Sequence, residues 1–226
     1  MRIIPAILTS NLEDMTNQLS TVSEFTDDVD IDVMDGKFVT DSTVDISSIP
    51  IINPLIYNFD LMVSEPELHI TKIIEAKSKG MHIGRVFIHI ESNYKLETIC
   101  NITTTNSFDL GFSLSIETAI ENFIDTISRI RASFPNIKPV LQLKTVQIGK
   151  QGNPYHPEVL GKIGKVKEQG FNGEIYLDGG MEPDIILSLK NYDLAGVSVG
   201  SYISHSSDPM AAYTELRNAT WKKRLD

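Results

Sequence analysis

The stretch DIDVMDGKF, residues 30–38, decides the fold. Acidic and apolar residues alternate from Asp30 to Val33, so a strand period of two sends Asp30 and Asp32 to one face and Ile31 and Val33 to the other. Asp35 and Gly36 close the run, since Asp-Gly is strong turn chemistry. In a closed barrel, the face shared by Asp30 and Asp32 looks either inward or toward the covering helices. Inward carboxylates near a barrel mouth need a partner: a cation, a shared proton or a lysine.

Outward from this stretch, β-branched runs alternate with segments of helical period. The strands expected are Arg2–Leu8, Val29–Met34, Leu55–Val63, Arg85–His89, Leu110–Ser115, Pro139–Val146, Glu174–Asp178 and Gly196–Val199. Helices are expected at Asn11–Glu24, Pro66–Lys79, Ile116–Ser133, Pro157–Gln169, Pro183–Leu189 and Pro209–Trp221. Several open with proline, whose missing N–H costs nothing in a first turn. Such alternation describes a parallel sheet covered by helices, closed as a (β/α)₈ barrel or left open and doubly wound. Eight strands in 226 residues favour the barrel, and no low-complexity segment or Pro/Gly/Ser-rich linker divides the chain. The expected architecture is a single α/β domain over residues 1–226, a TIM barrel.

Composition narrows the function. A formal charge of −10 argues against non-specific nucleic-acid binding, because phosphate backbones demand basic patches. It leaves room for a small anion held by main-chain amides. No apolar run approaches the roughly 18 residues of a membrane span, and MRIIPAILTSN has neither the basic region nor the long apolar core of a secretory signal. A cytoplasmic protein with no membrane partner is the simplest expectation. The lone Cys100 has no internal disulfide partner, which fits a reducing compartment.

A barrel builds its site on the loops that follow its strands. At those ends the sequence collects Asp30, Asp32 and Asp35, then Asp60, His89 with Glu91, Lys144, and Asp178. A single Asp at a strand end is as often a cap or turn former, and Asp35 before Gly36 reads that way. Met34 reads as core or pocket floor, and His89 as pocket lining or a buried, satisfied imidazole. Glycine loops then follow the last three strands: GKQGN (149–153), LDGG (177–180) and VGS (199–201). Glycine lets main-chain N–H groups approach an anion closely, and a phosphate site after strands seven and eight recurs in barrels. Turn glycines are common, but three such loops in succession point to a phosphorylated ligand.

DVMDG (32–36), LMV followed by EP (61–66), HIE (89–91), the run from Gly149 through PEVL (157–160), LDGG and VGS occur in the order and spacing of the ribulose-phosphate 3-epimerase family. The chain resembles that family from PAIL (5–8) to its last helix. The resemblance implies a barrel of the ribulose-phosphate-binding type acting on phosphorylated ketoses, with a divalent metal beneath the substrate oxygens. It implies Asp32 and Asp178 as the acid/base pair. The implied metal positions are Asp30, Asp32, Asp60 and Asp178. Gly149, Lys150, Gln151, Gly152, Gly179, Gly180, Gly200 and Ser201 would hold phosphate, with Met34, His89 and Lys144 around the ligand. Proteins of this family often form dimers or hexamers, so a homo-oligomer is among the expectations.

The departures from the family pattern fall in the site. Two histidines usual there are replaced by Asp30 and Asp60, and none of His69, His82, His89, His156 and His205 falls at a vacated position. The usual serine after the first-strand proline is Ala6, and the usual methionine on strand six is Lys144. Three readings follow. Four carboxylates make an all-oxygen cage that suits Mg²⁺, Mn²⁺ or Ca²⁺ better than Zn²⁺. Alternatively no metal binds, and Lys144 offsets part of the charge while some carboxylates keep a proton. In the third reading the barrel is a pseudoenzyme that binds a sugar phosphate without turnover. A decarboxylase of the orotidine-phosphate type ranks low, because its Asp-x-Lys-x-x-Asp spacing is absent from residues 30–38.

Overall fold

Eight parallel strands pair in chain order and close where the first meets the last. They are β1 (Arg2–Ile7), β2 (Asp28–Met34), β3 (Ile56–Met62), β4 (His82–His89), β5 (Asp109–Leu114), β6 (Val140–Lys144), β7 (Ile175–Asp178) and β8 (Gly196–Val199). The computed structural model describes residues 1–149 and 152–221, the last of them by its main chain only. Closure settles the choice left by periodicity in favour of the barrel: Arg2 to Pro5 pair with Gly196 to Val199, so the sheet has no free edge.

The covering helices are α1 (Leu12–Val22), α2 (Pro66–Ser78), α3 (Leu96–Asn106), α4 (Ile120–Ser133), α5 (Gly161–Glu168), α6 (Pro183–Ser188), α7 (Ser201–Ser204) and α8 (Pro209–Trp221). Local chemistry sets their starts. The Asn11 side chain accepts from the N–H groups of Glu13 and Asp14, which caps α1, and Met15, Leu19 and Val22 turn its apolar stripe inward. Between β2 and β3 the connection carries only a 3₁₀ turn, Ile46–Ser48, capped by Asp45 and anchored by buried Val44, Ile46 and Ile49.

Some boundaries differ from the expectations for physical reasons. β6 ends at Lys144: the Thr145 N–H makes the last ladder bond to the Asp178 carbonyl at 2.8 Å, and its hydroxyl donates to the Asp178 and Gly179 carbonyls where the loops begin. The helix expected from Ile116 starts at Ile120, since Glu91 holds Ser115 and Thr118 in a turn before it. The helix expected over residues 157–169 opens as a 3₁₀ turn, Pro157–Leu160, before α5.

Two regions are buried. The larger packs the outward faces of the strands against the helices. Inside the barrel a small apolar cluster of Ile4, Phe87, Val140 and Tyr176 fills the N-terminal part. Gly111 makes room for it, because a Cβ there would lie 2.2 Å from the Phe87 ring. The remaining interior is polar: Asp28, Asp30, Asp32, Asn58, Asp60, Arg85, His89, Ser113, Gln142, Lys144 and Ser198 are all buried. Such groups must satisfy one another.

Candidate active site

Register brings the site together. Asp32 on β2 sits beside Asp60 on β3, and Lys144 on β6 sits beside Asp178 on β7. One oxygen each of Asp32, Asp60 and Asp178 lies within 4.8 Å of the others. The Lys144 ammonium donates to Oδ2 of Asp60 and to Oδ2 of Asp178, so one bond crosses the barrel and the other joins adjacent strands. Lys144 is only 2% exposed. Removing one partner from such a pair leaves an uncompensated buried charge, at a cost of about 3–5 kcal/mol.

The electrostatics separate these carboxylates. Burial raises the Asp32 pKa well above the usual range, and the Asp178 charge raises it further. Burial also raises Asp178, against the pull of Lys144. Asp60 goes the other way. Burial alone would raise it, but Lys144 and His89 together hold it down to about 2. Burial likewise opposes the Lys144 cation, yet Asp178, Asp60 and Asp32 raise its pKa. The set therefore holds an ionised Asp60, a charged lysine and two carboxyls raised from the usual carboxylate range.

His89 and Glu91 lie behind Asp60. His89 Nε2 is 3.2 Å from Asp60 Oδ1, an approach of charge without the alignment of a hydrogen bond, and Nδ1 is 3.5 Å from Glu91 Oε2. Burial works against the imidazolium, but its two acidic neighbours outweigh that and raise its pKa. His89 is thus a buried support for Asp60 and does not line the cleft. Met34 is buried and also off the cleft wall; Met62 on β3 takes that place.

Asp30 belongs to a deeper layer, which corrects the expectation of a fourth carboxylate in the cluster. Ser198 donates to its Oδ2, and Asn58 Nδ2 donates to its Oδ1 at 2.9 Å. The same Asn58 amide reaches Asp28 at 2.6 Å, and Asp28 pairs with Arg85. Period two fixes the face of a side chain but leaves its depth to the register. Burial raises the Asp30 pKa to about 7. Asn58, two residues before Asp60, was visible by the same alternation; Ser198 is brought to Asp30 by closure of β8 on β1, and Arg85 to Asp28 across β3. Asp35 takes its turn role: Oδ1 accepts from Lys37 and Phe38, and Oδ2 from Ser64.

Above this floor lies a cleft of about 320 Å³ lined by Asp32, Lys144, Asp178, Gly149, Gly152, Gly179, Gly180, Gly200 and Ser201, with Met62, Val146 and Tyr202 among its other walls. Lys150 and Gln151 lie outside the described residues. Gly179 adopts φ +106°, and a Cβ there would lie 2.3 Å from Val146 Cγ2, so the loop after β7 requires glycine. Thr145 Oγ1 ties that loop down by donating to the carbonyls of Asp178 and Gly179. Among the hydrogen bonds of the described residues, none is donated by the main-chain N–H of Gly179, Gly180, Gly200 or Ser201.

The spacing of Asp32, Asp60 and Asp178 could hold a cation, but the Lys144 ammonium already occupies the space between two of them. Asp60 offers Oδ2 to Lys144, and Asp178 offers Oδ2 to the same ammonium. A divalent ion needs several oxygens at about 2.0–2.6 Å, and here it would compete with the ammonium for the same atoms. With Lys144 in this position, the donor set does not fit a divalent metal.

A closed parallel barrel with buried carboxyls beneath glycine loops defines the class of (β/α)₈ proteins whose candidate site lies at the C-terminal mouth. The model of the ribulose-phosphate 3 epimerase family matches residues 2–204, and the chain belongs to that family. It is 24% identical to ribulose-phosphate 3-epimerase of Schizosaccharomyces pombe, covering 98% of this chain and 94% of that one. Its identity to the Mycobacterium leprae enzyme of the same name is 25%, over 95% and 93%. Among solved structures it is similar to 3-keto-L-gulonate-6-phosphate decarboxylase from Vibrio cholerae, with a TM-score of 0.68, 13% identity and coverage of 97% and 96%, a likeness of fold. No helix among the described residues is long and apolar enough to cross a membrane.

Proposed function

We propose that this barrel epimerises a phosphorylated ketose at C3, the carbon beside the carbonyl, with Asp32 and Asp178 as the acid/base pair. The observation that carries the reading is that these two carboxyls, from β2 and β7, line one cleft beneath loops whose N–H groups are unspent. Family membership and the names of the relatives support an epimerase acting on carbohydrate phosphates. A ketopentose phosphate is the substrate class those names favour, in a cytoplasmic setting.

The chemistry needs a base on one face and an acid on the other. One carboxylate takes the C3 proton, the C–H electron pair forms the C2–C3 double bond, and the carbonyl pair moves onto the C2 oxygen. The opposite carboxyl then returns a proton to the other face, and C3 is inverted. Asp32 and Asp178 both favour a proton through burial, and their charges oppose each other, so one protonated and one ionised carboxyl is the favoured starting state. The amides of Gly179, Gly180, Gly200 and Ser201 receive the phosphate, as two helix-opening loops suit an anion.

Asp32→Asn and Asp178→Asn should each lower C3 epimerisation by about 10²–10⁴-fold while keeping ligand-induced thermal stabilisation. Full activity in both would refute the assignment. One observation favours the second reading, a non-catalytic binder: Lys144 pairs with Asp178, which lowers the basicity of that carboxylate. On that reading both variants bind normally and the parent protein never turns over.

A further inference from the structure

We infer that the Lys144 ammonium is the resident cation of this site, held where a divalent metal would otherwise sit, and that it receives the charge developing on the substrate's C2 oxygen. The inference rests on the epimerase reading for its chemistry; its account of the site rests on geometry alone.

Three observations carry it. First, Nζ donates to Asp60 from one side of the barrel and to Asp178 from another, two of the three carboxylates close enough to share a cation. Second, the ammonium takes one oxygen each of Asp60 and Asp178, so a divalent ion drawing on the same cluster would have to displace it. Third, Lys144 lines the cleft beside Asp32 and Asp178. An ammonium has three donors, and two are used on carboxylates. The remaining one can serve a substrate oxygen between the acid and the base.

Charge supports the same picture. His89 and Lys144 flank Asp60 from two sides. A buried ammonium is a compact point charge, suited to one oxygen that gains a negative charge. When the C3–H bond breaks, the proton goes to a carboxylate and the displaced π pair to the C2 oxygen, which the ammonium stabilises without giving up its own proton. No co-reactant is needed.

The test is a Mn²⁺ titration of the chelator-treated full chain, followed by calorimetry and thermal melting, beside Lys144→Met, which restores the residue the family usually carries. The parent protein should bind Mn²⁺ only weakly, with no change of Tm, and any C3 exchange should survive chelator. Lys144→Met should take up one Mn²⁺ per chain at least 100-fold more tightly and gain Tm with it. Stoichiometric, tight Mn²⁺ binding by the parent protein, abolished by Asp60→Asn, would overturn the inference and leave the epimerase reading intact. A folded Lys144→Met that binds no Mn²⁺ would also overturn it. If the variant fails to fold, the parent titration still decides. Should the metal results come out as expected while no form exchanges C3, the lysine assignment stands and the epimerase reading falls.

Discussion

Asp30 shows what one residue can and cannot announce. Its charge, its face and its nearness to Asp32 were all legible in DIDVMDGKF. Its depth was not, because only the register against Asn58 and the reach to Ser198 across β1 reveal that it lies below the cluster. Its pKa, raised from 3.8 to about 7 by burial, makes a stability prediction. Between those two values the folded chain holds a proton that the unfolded chain has released, so stability falls as pH rises from about 4 to about 7 and stays lower above. Asp30→Asn removes that dependence and keeps the partners, since the Ser198 hydroxyl can accept from the new amide. The variant's Tm should exceed the parent's by more at pH 8 than at pH 5, with each kcal/mol worth about 2–4 °C at this length. An equal gap at both pH values, read by circular dichroism, would contradict a titrating Asp30. Lys144 is the converse case. Its oddity was plain from the sequence, but its partners come from the register with β7 and, for Asp60, from β3 across the barrel, neither of which the sequence prints.

At the scale of elements, the strands were easier to read than the helices. β8 falls where the sequence placed it, and the other strands start or end within a few residues of expectation, because β-branched runs bounded by turns carry a strong signal. α3 was missed. Its sequence, LETICNITTTN, is rich in Thr and Asn, which favour other conformations, and the helix survives by burying Leu96, Ile99, Cys100 and Thr103 on one side. The glycine loops were legible as loops, but which glycines are obligatory depends on neighbours. Gly179→Ala should weaken inorganic phosphate binding by calorimetry at least 10-fold and lower Tm, because the added Cβ meets Val146 and φ is +106°. Gly152 has open space around its Cβ position and only a positive φ of +80°, so Gly152→Ala should cost about 1 kcal/mol or slightly more. Equal effects of the two substitutions would mean that the loop after β7 is not shaped by its contact with Val146.

Taken whole, the molecule pairs a common barrel with an uncommon interior. Alternating strands and helices left an open sheet or a barrel, and eight strands in 226 residues with the family's motifs pointed to the closed fold that is found. Function lives in the site rather than the fold, and here the site has exchanged two imidazoles and a thioether for two carboxylates and an ammonium relative to the usual family pattern. The new charges form a mutually paired set, with Lys144 between Asp60 and Asp178. Asp32 remains at the mouth, and the glycine loops keep their unspent N–H groups above it. That arrangement supports the proposed epimerase reading, since Asp32 and Asp178 share one cleft with the glycine loops.

The most direct measurement is proton exchange at C3. Protein treated with chelator is incubated in D₂O with ribulose 5-phosphate or xylulose 5-phosphate, and the C3 proton is followed by NMR, which detects enediolate formation even when net inversion is slow. The account predicts protein-dependent loss of the C3 signal, lost in Asp32→Asn and in Asp178→Asn. A C3 proton that persists with either ligand, with and without added Mn²⁺, while melting shows that the ligand binds, would contradict it.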